Sequence, residues 1–155
     1  MSKRRNKQYR QRPVSAIGGM RLVIDRQWRN MPLPAERQAN VVISCHTSID
    51  ALCGGYADVV HADTIIYALN IGRLLAMRGM GGEFIEQISE AQEAMIRCHE
   101  RHKKTGKYAL DGPGLVAIRA VADLHEAQIA LATQAELQAA IEEMHRRLKL
   151  EPVAA

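Results

Sequence analysis

Aromatic side chains are scarce in this chain, with one Trp, one Phe and four Tyr among 155 residues. An aromatic-rich β-sandwich core is therefore a poor fit, whereas the abundant Leu, Ile, Val, Ala and Met suit helix packing. Proline is also rare, at five, and 47% of the residues are hydrophobic, which excludes a disordered, Pro-rich composition outside the first dozen residues. Cys45, Cys53 and Cys98 are too few and odd in number for a disulfide framework. No apolar stretch follows the basic start as a secretory signal would require, so reduced thiols and a cytoplasmic location are expected. Long hydrophobic runs are absent as well. The longest, Ile65 to Met77, spans 13 residues, includes Asn70 and Arg73, and falls short of the roughly 20 needed to cross a bilayer. A buried central helix and no membrane partner are expected.

What is present is an asymmetry of charge. Residues 1 to 37 carry ten Lys or Arg against Asp25 and Glu36, a net of +8, whereas residues 38 to 155 carry eleven against fifteen acids, a net of −4. The first twelve residues hold Lys3, Arg4, Arg5, Lys7, Arg10 and Arg12 and no acid. Such an arm has nothing to bury and reads as disordered. Residues 13 to 34 read as an extended segment laid over the body, with a short strand near Leu22 to Ile24.

From Pro34 onward the pattern is helical. Val42, Cys45, Ile49, Leu52 and Cys53 recur three and four apart and stop at Gly54-Gly55, which predicts a first helix of about 20 residues. A second helix, from about Ala57 to Met77, is apolar nearly all round and should be the most buried element. Phe84, Ile85, Ile88, Ala91, Met95 and Cys98 mark a third, closing in a cationic run before a capping Gly106. Asp111, as N-cap before Gly112-Pro113, opens a fourth stretch reaching about Lys149. One continuous helix over those 38 residues would be roughly 57 Å long, against about 30 Å for the others. Either it breaks at Thr133, where Thr133 and Glu136 have capping-box spacing, or Leu137, Ile141, Met144 and Leu148 pack on a partner. The partner version is favoured, because those residues would otherwise be exposed. The expected fold is thus an all-α, four-helix antiparallel bundle over residues 35–150, with a basic flexible arm and a long last helix.

Candidate chemistry is thin. The six cations of the arm could neutralise phosphates and give salt-dependent, non-specific affinity for nucleic acid, or dock on an acidic protein. Glu142 with His145, and Asp58 with His61, have the spacing of ligand pairs in di-iron bundles, but Ile141, Met144 and Leu148 claim the inward face of the last helix. No metal or cofactor is therefore expected. Cys98, His99 and His102 lack a second ligand pair at zinc spacing, and packed thiols are the simpler account of all three cysteines. Gly106-Lys107 lacks the rest of a P-loop, and Glu83 would repel an anion at the turn formed by Gly79, Gly81 and Gly82. Asn70 and Arg73, three apart on the apolar second helix, must find water, a carboxylate or a partner.

The basic start, Ile-Tyr-Ala-Leu-Asn-Ile-Gly at 66 to 72, Gly-Met-Gly-Gly-Glu at 79 to 83, and Leu-Asp-Gly-Pro-Gly-Leu at 110 to 115 together make a familiar layout. Over residues 35 to 150 this arrangement resembles small helical accessory proteins of proteobacterial phages and prophages. The resemblance implies a compact, non-enzymatic protein that acts by binding a macromolecular partner, for example by inhibiting a host defence or regulatory complex. Self-association as a dimer is expected. The alternatives are a nucleic-acid-associated protein that grips phosphates with its arm, and a small helical-bundle metalloprotein or enzyme.

Overall fold

A computed structural model describes residues 16–150, so the six cations of the basic arm lie outside the described residues. The chain is all-α, and the described residues form six helices. They are α1 (Ala16–Arg29), α2 (Ala35–Gly54), α3 (Val59–Met77), α4 (Ile85–Thr105), α5 (Gly112–Leu131) and α6 (Gln134–Leu150), with a single 3-10 turn, Gly82–Phe84, leading into α4.

Local chemistry sets most of the boundaries. Gly55 and Gly106 take left-handed conformations, with φ of 74° and 73°, and end α2 and α4 as only glycine does without strain. Asp58 caps α3 by accepting from the His61 backbone N–H, while the Asp58 N–H donates to the His61 ring. This is a capping box in which histidine takes the usual glutamate's place. Asp111 caps α5 by accepting from Gly114 N–H at 2.6 Å, and its carboxylate also receives Arg97 of α4 at 3.0 Å. Both interactions hold the Asp111 carboxyl below its ordinary pKa, the Arg97 hydrogen bond more than the Gly114 one.

Two expectations need correction. The segment read as extended, with a strand near Leu22 to Ile24, is instead helical from Ala16 to Arg29. Ile17, Met20, Ile24 and Trp28 recur at helical spacing, and that period outweighs the weak propensity of Gly18-Gly19. The long last helix is also two helices. Ala132 leaves helical geometry with ψ 138°, and Thr133 and Glu136 then close a capping box in which Glu136 Oε2 accepts from the Thr133 N–H at 2.8 Å. The turn is fastened to the α1–α2 linker by a β-bridge between Pro32 and Thr133 and by Gln134 N–H donating to Met31 C=O at 2.9 Å.

Packing explains why the break occurs. Helix α3 is central, touching α2, α4, α5 and α6. One end of it, through Ala62, Ile65 and Leu69, packs with Ile49, Leu52, Ile88, Met95, Ile118 and Val121. Its other end, through Ile71, Leu74 and Leu75, packs with Ile129, Leu137, Ala140 and Met144. A helix apolar on every side needs cover on every side, and α6 folds back to supply the last wall. Removing a Leu-sized side chain from water contributes roughly 1.5–3 kcal/mol, ample reason for the chain to reverse at Thr133. By length and composition α3 could cross a bilayer, yet these neighbours give it the surroundings of a core helix.

Candidate functional site

Where α2, α3, α5 and α6 diverge they leave a groove of about 760 Å³, walled by Val41, Cys45, Tyr67, Ile71, Ile129, Leu137 and Ile141 and floored by His125. Arg37 and Asn40 stand on its α2 side, and Asp63 and Thr64 on its α3 side. His125 is buried, an unusual place for a titratable side chain, and it is held there by a polar relay. Gln128, one turn on, is buried too and donates its amide to the carbonyls of Gly72 at 3.0 Å and Met80 at 2.7 Å. Its Oε1 then faces His125 Nδ1 at 3.5 Å.

Glycine at 72 is what lets this relay approach α3. A Cβ there would stand 3.1 Å from Gln128 Oε1 and 3.5 Å from His125 Nδ1. Burial pushes the His125 pKa below its ordinary value, and the Gln128 hydrogen bond offsets this only in part. Cys45 lines the same groove, and burial pushes its thiol pKa up. Both side chains are therefore neutral near pH 7.

The residues singled out in the sequence have other employment. Asn70 and Arg73 meet on Gln92 of α4. Arg73 donates to Gln92 Oε1 at 2.7 Å, and Gln92 Nε2 donates to Asn70 Oδ1 at 2.8 Å. Asn70 and Gln92 edge a second, somewhat smaller groove of about 630 Å³ between α3 and α4, where Tyr108 stacks on His102 with ring centroids 3.8 Å apart. Cys98 lies buried, its thiol pKa raised by that burial. His61 serves the α3 cap, His145 packs edge-on to Tyr67, and Glu143 pairs with Arg146 and Arg147. Among the described residues no three His, Cys, Asp or Glu side chains gather as a metal would need. Of the four residues expected at a partner interface, Leu137 and Met144 are buried against α3, Ile141 is half-buried at the groove and Leu148 is exposed. Burial inside the chain leaves Leu137 and Met144 no surface to offer a partner.

Exposed large apolar side chains occur on several helices, Val60, Val116 and Leu131 among them, and a close-set group of four falls on α1 and the residues just after it. Val23, Ile24, Trp28 and Met31 are 57%, 45%, 56% and 50% exposed, and among the described residues α1 packs chiefly on α6. Arg26 and Arg29 are exposed beside them. Sequence reasoning missed this helix, and it missed the His125–Gln128 relay. The available signal for the relay was a histidine on the apolar stripe of Ile118, Ala122 and Ile129, with a glutamine three residues on.

Fold and groove together define an all-α protein whose described residues form six helices and place the buried, neutral imidazole of His125 at an open apolar cleft. Comparison with protein-family models, curated proteins and solved structures finds no match.

Proposed function

We propose that this protein is a non-enzymatic helical interaction module, and that it works first by pairing with a second copy of itself through α1. The observation that carries this is the stripe of Val23, Ile24, Trp28 and Met31, four large apolar side chains each about half exposed on one short segment. Monomers rarely leave such a stripe to water, and an amphipathic helix laid on an apolar surface is a recurrent way to cover one. Charge favours the body of a second copy as the cover of α1, since the +8 of residues 1 to 37 complements the −4 of the remaining chain. A phage or prophage origin, with action on a host defence or regulatory complex, belongs to the same proposal and rests on the sequence layout alone.

Light scattering tests the pairing. The wild-type chain should have the mass of a dimer, and Trp28→Asp that of a monomer with its helical circular dichroism kept. A wild-type monomer at every concentration, or a dimer that survives the substitution, overturns the proposal. Exposed Arg26 and Arg29 extend the charge of the arm and favour phosphate contact as a second reading. That reading predicts duplex binding that weakens steeply with salt and is lost when residues 1 to 12 are removed. Salt-insensitive or absent binding would exclude it.

A further inference from the structure

Gln128 has a fixed orientation, because two backbone carbonyls, those of Gly72 and Met80, can receive only its N–H groups. Its Oε1 must then face His125 Nδ1. Two lone pairs would repel there, so Nδ1 carries the ring proton and Nε2 is left with a bare lone pair. Nε2 has no partner among the described residues, yet no fully buried side-chain nitrogen or oxygen among them lacks one. It therefore retains some accessible surface, and of the two openings that His125 lines, the groove of about 760 Å³ is the one large enough to admit a ligand.

We propose that this groove is a binding site for a small neutral amphiphile, with a compact apolar body and one hydroxyl that donates to His125 Nε2. The walls supply the apolar contact, and a volume of about 760 Å³ suits a small molecule. The charged groups lining the groove, Arg37 and Asp63, are of opposite sign and favour neither an anion nor a cation. A buried acceptor left without a donor is costly, so the site should discriminate by the hydroxyl more than by shape.

The probes are 4-propylphenol and its methyl ether, in which a methyl group replaces the donated hydrogen, titrated by calorimetry into the full chain. The phenol should bind about tenfold more tightly than the ether. His125→Phe should erase that preference. Ser44→Trp, at an exposed position of α2 on the groove wall, should block both probes with melting temperature and mass unchanged. Because Ser44 lies outside α1, a failure of this site and a failure of self-association are separately visible. Nitrogen-15 spectra should also report the Nδ1–H tautomer of His125, a readout that survives even if His125→Phe does not fold. Equal affinity for the two probes, no binding of either, a phenol preference that persists in His125→Phe, or an Nε2–H tautomer would each overturn the proposal.

Discussion

Helices α1 and α3 are both rich in large apolar residues and differ in where those residues lie. In α3 they surround the axis, and four other helices bury Ile65, Leu69, Ile71, Leu74 and Leu75, while Val59, Val60, Tyr67 and Met77 keep contact with water. On α1 the described large apolar residues, Val23, Ile24 and Trp28, are about half exposed. The difference separates stability from function. A helix apolar on all sides organises a core, whereas a one-sided helix left uncovered is the natural place for a partner.

Substitutions can break that contrast in order of size. Leu69→Asp places a charge at a site 3% exposed between α3 and its neighbours, and should abolish cooperative unfolding altogether, as read by thermal circular dichroism. A native-like melt from that variant would show that α3 is not the core. Leu137→Ala comes next. It should cost about 2–4 kcal/mol in denaturant unfolding without altering the mass in light scattering, because Leu137 packs on α3 within its own chain. A change of mass with stability intact would return α6 to the role of interface.

His125 gives a smaller, pH-dependent effect. Its folded pKa lies below the ordinary 6.5, so as pH falls through that value the unfolded chain takes up the proton first. The stability that depends on a neutral imidazole is thus complete above about pH 6.5 and is lost as pH falls from there toward the folded pKa. The wild-type melting temperature should accordingly drop more than that of His125→Phe between about pH 7.5 and pH 5. Parallel curves for the two proteins would place the charged ring in contact with water. Trp28→Ala, at the far end of the scale, should change monomer stability by no more than about 0.5 kcal/mol, since the side chain is mostly exposed. A larger loss would mean that α1 belongs to the core.

Much of the body was legible from residue order. The spacing of Val42 to Cys53, the all-round apolar face of Ile65 to Leu75, and the caps at Asp111 and Gly106 each act within a few residues, and each lies where periodicity and capping place it. The reversal at Thr133 was visible as a capping box but was weighed against an exposed stripe on Leu137 to Leu148. The demand of α3 for a further neighbour decides between the two, and it emerges only once helices are assembled. Helix α1 was obscured by Gly18-Gly19, whose low propensity mimics a linker. The His125–Gln128 relay was illegible for a different reason. The carbonyls that orient Gln128 come from residues 56 and 48 positions away, a distance no local pattern reports.

Amide hydrogen exchange, followed over a range of protein concentrations, bears most directly on the division between a self-sufficient body and a helix held in reserve. Amides of α3 should exchange slowest at every concentration, and those of α1 should slow only as the chain becomes concentrated enough to pair. Exchange in α1 that matches α3 in dilute solution, or that stays fast however concentrated the protein, would contradict it.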